Sequence, residues 1–513
     1  MIFGFPARYA DTRLGLENRR YLRIEEMAGL GYRINAATAH WLIGLCLSLI
    51  VTACALSRPL TVEKQDIDRA YHYAVPPIDR DGWQTQSLDD AGIRQRPLAA
   101  LVSRIRDNTF PRVYSVLLVK DGKLVFEEYF AGHHRYQFYE MHSVSKSVTS
   151  ILVGIAVDQG LIGVDDPVHT YFEDYRGLEW IDRPYEITIR DLLTMAHGTD
   201  WDERSRPLSD PTNSIRAMTD GDDWLPFILD HKLIEPPGTR FNYAGGMTVL
   251  LGEIVSRAAG LDLGGFAERY LFHPMGIYME GWHRSRLGVV NCQGGLYLRP
   301  RDMAKIGQLM LDKGVWQGNR IVSEKWVEAS LNKRVMAEYG WGYGYQWRLG
   351  QAVIGDQLVD LFFASGRGGQ HIFVVPELRL VAVFTAQPID NSGGYNRNFI
   401  MMADYVLPTV TSTATPMSFS METSKLSRYA GRYRHLETGE EATVTAGVSG
   451  ISVWPAFWWR IPASPIGPNR FIGYSGRTGH LYFKFLSDEA KQPERFEARF
   501  LFGKRVYERI QQP

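Results

Sequence analysis

Ser143 and Lys146 are the two side chains of this sequence whose types and spacing suggest covalent chemistry. The apolar positions that follow them predict a helix over residues 147–158, and side chains three residues apart share one face of a helix. A lysine can accept a serine proton when burial and neighbouring cations lower its pKa, and the free N–H groups of a helix N-terminus can stabilise an oxyanion. The pair therefore predicts a nucleophilic serine.

The spacing by itself does not identify the nucleophilic serine, because Ser330 and Lys333 have the same spacing. The chain contains no G-x-S-x-G, H-E-x-x-H or paired C-x-x-C signature. The glycine-rich residues 366–369 precede a predicted strand instead of opening a helix, which argues against a dinucleotide loop. We therefore expect neither a metal nor a cofactor.

Further stretches surround Ser143 and follow it in a fixed order along the chain. These stretches are His142–Ser150, Gly160–Ile162, Asp165–Pro167, Ile187–Met195, Pro237–Tyr243, Leu250–Ile254, Gly294–Tyr297, Arg301–Ala304 and Gly368–Gln370. Together they resemble the serine β-lactamase-related family, which includes class C β-lactamases, DD-peptidases, esterases and 6-aminohexanoate-oligomer hydrolases. The resemblance covers roughly residues 96 to 408. It implies an antiparallel sheet flanked by helices, and it implies that Ser143 is the active serine.

The resemblance also implies a role for Tyr243. The family's second motif, Tyr-x-Asn, is matched here by Tyr243 and Gly245. A tyrosine beside Lys146 can relay the proton of Ser143 to the leaving group and later activate water. The alternative is a core tyrosine. Gly245 has no side-chain amide, so a contact that Asn makes to substrate amides in relatives is missing.

The third family motif, Lys-Thr-Gly, is matched by residues 364–366, and Ala364 stands where relatives have the cation that binds the β-lactam carboxylate. The resemblance implies an oxyanion hole formed by the backbone N–H groups of Ser143 and Arg367. The Arg367 guanidinium could restore an anion contact, or it could be a surface arginine. His371 is expected to be structural. The residues expected to line the substrate site are Gly366, Gly368 and Gln370.

The N-terminus has the character of an export segment. Arginines that include Arg19, Arg20, Arg23 and Arg33 precede an apolar run at residues 41–56, which is shorter than the ~20 residues that span a bilayer. The run ends at Cys54 in a sequence that resembles the lipobox of bacterial lipoproteins, so Cys54 is the expected lipidation site. The alternative is an uncleaved membrane anchor. Either reading predicts a membrane-tethered protein of the cell envelope, exported to the periplasmic side, and Met27 is an alternative start.

The remaining pattern predicts a mixed α/β domain followed by a small all-β domain. An Asp-Gly turn joins two strand-like runs at residues 114–130. The predicted helices are 147–158, 189–195, 247–259, 300–311, 324–331 and 398–407, and the predicted strands are 358–363, 371–375 and 380–385. The predicted divisions of the chain are a signal and lipobox segment at 1–54, a polar tether at 55–95, the hydrolase domain at 96–408, a linker at 409–422 and a β-rich domain at 423–513.

The composition excludes some classes of function. The 57 Lys and Arg balance the 57 Asp and Glu, which argues against nucleic-acid binding. Only three cysteines are present, and two of them lie in the apolar run, so a disulfide framework is not expected.

The sequence therefore predicts a serine hydrolase that cleaves a small ester, amide or peptide through an acyl-enzyme. Esterase or small-amidase activity is favoured, and β-lactamase and DD-peptidase activities are the alternatives within this class. An alternative of another class is a catalytically silent envelope lipoprotein that binds cell-wall fragments or partner proteins.

Overall fold

The computed structural model describes residues 71–183, 185–354, 357–387, 396–410, 421–447, 450–455, 460–475, 479–486 and 492–511. The predicted export segment with Cys54, the alternative start at Met27 and most of the predicted linker at 409–422 lie outside the described residues. Within those residues no helix combines the length and the apolar character that crossing a membrane requires.

The described chain up to residue 410 is a mixed domain of strands and helices. Its strands are β1 (Val113–Lys120), β2 (Lys123–Tyr129), β3 (Tyr139–Glu140), β4 (Gly281–Trp282), β5 (Leu296–Leu298), β6 (Val315–Trp316), β7 (Asn319–Arg320), β8 (Val335–Met336), β9 (Gly342–Tyr343), β10 (Arg348–Ile354), β11 (Gln357–Gly366), β12 (Gln370–Val375) and β13 (Leu380–Ala386). Its α-helices are α1 (Gln95–Arg106), α2 (Val144–Asp158), α3 (Glu179–Asp182), α4 (Ile189–Leu193), α5 (Ser214–Asp220), α6 (Trp224–Leu229), α7 (Gly245–Ala259), α8 (Leu263–Ala267), α9 (Pro300–Leu311), α10 (Glu324–Ser330) and α11 (Asn396–Met401). Short 3-10 turns lie at Val168–Tyr171, Glu338–Gly340, Pro376–Leu378 and Leu407–Thr409, and π turns lie at Glu268–Phe272 and Met402–Val406.

An eight-stranded antiparallel sheet with the order β2-β1-β13-β12-β11-β10-β9-β8 forms the centre of this domain. The predicted hairpin is confirmed, because Lys120 pairs with Lys123 across Asp121 and Gly122, both of which have the positive φ that such a two-residue turn needs. Successive residues of β1 face opposite sides of the sheet and join two different hydrophobic clusters. Helices therefore cover both faces, and the predicted α/β fold class is confirmed.

The predicted helices are present with small differences at their ends. The predicted helix at 300–311 coincides with α9, and α2 begins three residues earlier than the periodicity indicates. The predicted helix at 398–407 is divided into α11, the π turn and a 3-10 turn.

Residues 71–94, which the sequence assigns to a polar tether, instead pack against the domain. Trp83 is 3% exposed, and its indole N–H donates to the backbone oxygen of Arg301 at 3.2 Å. The Arg301 guanidinium is itself buried and binds the carboxylates of Asp81 and Glu127 at 3.0 and 2.6 Å. This burial cannot be predicted from composition, because the few apolar residues are widely spaced between polar ones. In the sequence, Asp81 also cannot be told from a solvent-exposed aspartate.

The C-terminal region is a closed antiparallel barrel, which confirms the predicted β-rich domain. A short helix, α12 (Thr423–Leu426), and a 3-10 turn at Ser427–Tyr429 precede it. Its strands are β14 (Gly431–His435), β15 (Glu441–Ala446), β16 (Ile451–Pro455), β17 (Ile461–Gly467), β18 (Arg470–Ser475), β19 (Gly479–Leu486), β20 (Arg495–Phe500) and β21 (Gly503–Arg509). The pairing of β14 with β21 closes the barrel around aromatic side chains, which include Tyr433, Phe471 and Phe496.

The turn between β20 and β21 connects the barrel to the sheet of the first domain. Leu501 and Phe502 form this turn with positive φ. The backbone oxygen of Leu501 accepts a hydrogen bond from the Trp341 indole N–H at 2.7 Å, and that of Phe502 accepts one from the backbone N–H of Gln351 at 2.9 Å. Gly340 lies so close to the barrel that a Cβ atom on it would be 2.0 Å from the Lys504 oxygen. The barrel therefore packs tightly against the 3-10 turn at Glu338–Gly340.

We expect Gly340→Ala to destabilise the chain more than Gly318→Ala. Both glycines have positive φ, 75° and 82°, which costs an L residue about 1 kcal/mol. Only Gly340 contacts another backbone, because a Cβ on Gly318 would meet nothing within 4 Å. Overpacking adds about 1–3 kcal/mol. Urea unfolding followed by tryptophan fluorescence measures both losses, and equal losses would contradict the tight contact.

Candidate active site

Ser143 lies at the point where the chain turns into α2. The preceding residue, His142, has a φ of 46°, and the backbone N–H of Val144 donates to the oxygen of Met141 at 3.1 Å. This tight turn makes Ser143 the N-cap of the helix, yet its side chain forms no capping hydrogen bond. The Ser143 hydroxyl is therefore not used by the helix, and it points instead to the side chain one turn further on.

Lys146 is that side chain, and the three-residue spacing brings it to Ser143. Its Nζ donates to the Ser143 Oγ at 3.1 Å and to the backbone oxygen of Gln293 at 2.7 Å. Lys146 is only 2% exposed, so these oxygens compensate for the lost hydration of its charge. The second serine-lysine pair differs, because Ser330 ends α10 and Lys333 lies exposed in the loop that follows. Only the first pair stands at a helix N-terminus.

Tyr243, which lies just before α7, is the third member of the site. Its phenol is buried, and three cations face its ring: the Lys146 Nζ lies 5.0 Å from the ring centroid, and the guanidiniums of Arg204 and Arg348 lie 4.2 and 5.2 Å from it. Burial opposes ionisation of the phenol, and Glu203 opposes it too. The three cations outweigh both effects and lower the pKa of Tyr243 below its ordinary value.

The two arginines above Tyr243 are functional candidates that sequence reasoning missed. Arg204 comes from a loop and Arg348 from the first position of β10, and no motif spacing joins either of them to Tyr243. Both face Glu338, at 3.4 and 3.9 Å. Glu338 belongs to the turn that the barrel packs against, so the barrel supports the carboxylate that holds these cations.

The end of β11 runs beside the turn that carries Ser143. A Cβ on Gly366 would lie 2.4 Å from the backbone oxygen of Met141, so only glycine fits this approach. Arg367 follows in the turn to β12, with an exposed side chain. Within the residues that the structure describes, neither the Ser143 amide nor the Arg367 amide has a hydrogen-bond acceptor. These two N–H groups can therefore serve a developing oxyanion.

The other residues expected at this edge are bonded inside the protein. The Gln370 amide nitrogen donates to the Ala386 oxygen at 2.5 Å, and the Gly368 oxygen accepts from Arg397 at 2.9 Å. His371 is buried and bonds to the Ser365 hydroxyl at 2.9 Å through Nε2, and burial lowers its pKa to about 3. A neutral histidine held in this way supports the strand that carries Gly366, which agrees with its expected structural role.

The site brings together a serine hydroxyl hydrogen-bonded to a buried lysine, a phenol ring beside that lysine with a lowered pKa, and two backbone N–H groups that have no acceptor among the described residues. A hydroxyl becomes nucleophilic when neighbouring groups accept its proton, and two N–H groups aimed at one place stabilise an oxyanion. This site is therefore suited to acyl transfer through a covalent intermediate.

Comparisons with known proteins find a matching family and similar sequences. The family model described as Beta-lactamase matches residues 100–396, which is more than half of the chain. The 6-aminohexanoate-dimer hydrolase of Paenarthrobacter ureafaciens is 27% identical over 248 residues, which cover 45% of this chain and 62% of that relative. The match therefore spans less than two thirds of the relative's length. The Beta-lactamase of Escherichia coli K12 is 27% identical over 137 residues, which cover 27% of this chain and 33% of that protein.

Two solved structures are similar in fold. A Bacillus anthracis protein described as a 6-aminohexanoate-dimer hydrolase has a TM-score of 0.52 at 20% identity, with 66% of this chain and 90% of that chain covered. EstCE1, described as a hydrolase with promiscuous acyltransferase activity, has a TM-score of 0.50 at 16% identity, with 62% of this chain and all of that chain covered. At these identities the likeness shows the fold alone.

We expect Arg204→Gln to move the pH dependence of Ser143 reactivity to higher pH. If the Tyr243 phenolate takes part in proton transfer, the labelling rate with a fluorophosphonate rises with pH through the lowered pKa of Tyr243. Removing one cation from the exposed side of the ring costs about 0.5–1 kcal/mol, which corresponds to a shift of about half a pH unit. Arg216→Gln, which removes a surface pair with Asp220, is the control. An unchanged profile or a shift to lower pH would contradict this role of Arg204.

Proposed function

We propose that this chain, which belongs to the Beta-lactamase family, is a serine hydrolase that cleaves esters or amides through an acyl-enzyme on Ser143. The observation that carries the proposal is the 3.1 Å hydrogen bond between the Lys146 Nζ and the Ser143 Oγ, at a helix N-terminus and beside Tyr243. A lysine is seldom buried in this way, because burying an ammonium costs free energy unless the charge is paired.

In the proposed mechanism Tyr243 begins as the phenolate. Lys146 passes a proton to Tyr243 and takes the proton of Ser143, and the Ser143 Oγ attacks the substrate carbonyl. The carbonyl electrons move to the oxygen, where the N–H groups of Ser143 and Arg367 stabilise the negative charge. Collapse of this intermediate expels the leaving group, which takes the proton held by Tyr243 and leaves the acyl group on Ser143.

Hydrolysis of the acyl-enzyme repeats these steps with water. The phenolate of Tyr243 accepts a proton from the attacking water, and the second tetrahedral intermediate uses the same two amides. When it collapses, the acid is released and Ser143 takes its proton back through Lys146. The set of residues returns to its starting state, so the proposed cycle needs no cofactor.

The preferred substrate follows from the side chain at position 364. Ala364 lies on β11, is 1% exposed and offers no charge, whereas relatives carry a cation at the matching position. A hydrogen bond to a charged group contributes about 1.5–3 kcal/mol, so a carboxylate-bearing β-lactam loses on the order of 10- to 100-fold in acylation. A short uncharged ester depends on the oxyanion hole instead. We therefore propose esterase or small-amidase activity above β-lactamase activity.

Ser143→Ala is expected to abolish both hydrolysis of p-nitrophenyl butyrate and labelling by a fluorophosphonate, while Ser330→Ala leaves both largely unchanged. The reason is that only Ser143 stands at a helix N-terminus beside a buried lysine. Gel fluorescence and p-nitrophenol release measure the two effects. Loss of labelling in Ser330→Ala with normal labelling in Ser143→Ala would place the site elsewhere. A wild-type chain with neither activity would favour the alternative of a silent binding lipoprotein.

Nitrocefin and p-nitrophenyl butyrate test the substrate preference. We expect the wild type to have the larger kcat/KM for the ester, because Ala364 provides no cation for the nitrocefin carboxylate. Arg367→Ala shows whether the neighbouring guanidinium replaces that cation, since it then lowers nitrocefin hydrolysis further and leaves the Arg367 backbone N–H in place. Efficient nitrocefin hydrolysis that persists in Arg367→Ala would contradict the preference.

A further inference from the structure

The space beside Gly245 is occupied by a side chain from another part of the chain. Gly245 opens α7, and a Cβ atom on it would lie 2.6 Å from the Oε1 of Gln293 and 2.5 Å from the Cδ1 of Ile215. An asparagine at position 245 and the observed Gln293 carboxamide therefore compete for the same volume. The sequence shows only that an amide is missing at position 245, whereas the structure places a different amide there.

The orientation of the Gln293 carboxamide follows from its neighbour. Its Oε1 faces the Lys146 Nζ at 3.4 Å, and an ammonium can only donate hydrogen bonds. The oxygen must therefore be the atom that faces Lys146, which directs the NH2 group away from it. In the part of the chain that the structure describes, no group accepts a hydrogen bond from this NH2. Gln293 thus presents an unused donor beside Ser143.

The turn that carries Gln293 is fixed between two helices. The neighbouring Cys292 is 1% exposed, and its backbone oxygen accepts a hydrogen bond from the Thr149 hydroxyl of α2 at 3.2 Å. Its sulfur lies against α7, where a Cβ on Gly252 would be 2.4 Å away. The backbone oxygen of Gln293 also accepts from Lys146 at 2.7 Å. These contacts hold the backbone of Gln293 in place beside Lys146.

We propose that Gln293 is a substrate-recognition residue whose NH2 group donates to an amide carbonyl in the acyl part of the substrate. The inference rests on the proposed function, since it assigns a substrate class to the site around Ser143. In an N-acylated amino acid only the nitrogen and the α-carbon separate the amide carbonyl from the scissile carbonyl, so such an acyl group offers an acceptor close to the bond that is cleaved. We therefore expect acyl groups that themselves contain an amide, such as those of N-acylated amino acids, to be preferred over plain fatty acyl chains.

Two esters of matched length test this inference. p-Nitrophenyl N-acetylglycinate and p-nitrophenyl pentanoate have the same leaving group and the same number of chain atoms, and only the first contains an amide. With each rate corrected for spontaneous hydrolysis, we expect Gln293→Leu to lower kcat/KM for the N-acetylglycinate about 3- to 10-fold more than for the pentanoate. This is the effect of one neutral hydrogen bond. Gln293→Leu keeps the size of the side chain and the backbone contact to Lys146.

A reciprocal exchange provides the second measurement. Ile215→Val removes the Cδ1 atom that a side chain at position 245 would meet, and it serves as the common background. In this background we expect Gln293→Ala to lower the ratio of the two kcat/KM values, and Gly245→Asn with Gln293→Ala to restore it. Gly245→Asn alone crowds Gln293 and lowers both rates. Fluorophosphonate labelling of every variant shows whether Ser143 still stands in a folded site.

The outcomes separate this inference from the proposed function. A wild type that hydrolyses neither ester and is not labelled overturns the proposed function, and the inference fails with it. A wild type that hydrolyses the pentanoate, with a ratio that Gln293→Leu leaves unchanged, overturns the inference alone. A double variant that is labelled normally but does not restore the ratio also overturns it. A selective loss followed by restoration supports the assignment of Gln293.

Discussion

The buried ammonium of Lys146 is the interaction on which the rest of the site depends. Burying a lysine costs several kcal/mol unless hydrogen-bond acceptors replace its water. Here the Ser143 hydroxyl and the Gln293 backbone oxygen do so, and the face of the Tyr243 ring lies beside them. Each of these partners comes from a different segment, so one charge contacts the turn into α2, the turn before β5 and the segment just before α7.

Lys146 also belongs to a group of cations that links the site to remote parts of the chain. Lys146, Arg204 and Arg348 surround one phenol, and three cations repel one another unless acids compensate them. Glu338 provides this compensation for the two arginines, and it stands on the turn that the C-terminal barrel packs against. The barrel is therefore linked to the electrostatics of Tyr243 through the turn that carries Glu338.

The sequence predicts those parts of the fold that depend on local pattern. The serine-lysine pair, helix α9 and the Asp-Gly hairpin are all recognisable because their spacing reflects helix or turn geometry. Arg204, Arg348 and Gln293 could not be found in this way, because they reach the site through tertiary packing and share no spacing with Tyr243. The packing of residues 71–94 is hidden in the sequence for a related reason, since their sparse apolar side chains become buried only against other elements of the domain. Closure of the barrel likewise depends on the pairing of β14 with β21, which are far apart in the chain.

The proposed function requires one covalent bond to form at Ser143 during turnover. Mixing the wild type with p-nitrophenyl pentanoate, quenching in acid within milliseconds and mapping the digested chain by mass spectrometry tests it directly. We expect a pentanoyl group on the peptide that contains Ser143, formed together with a burst of p-nitrophenol. An acyl group on any other residue, or steady ester consumption with no acylated peptide, would contradict it.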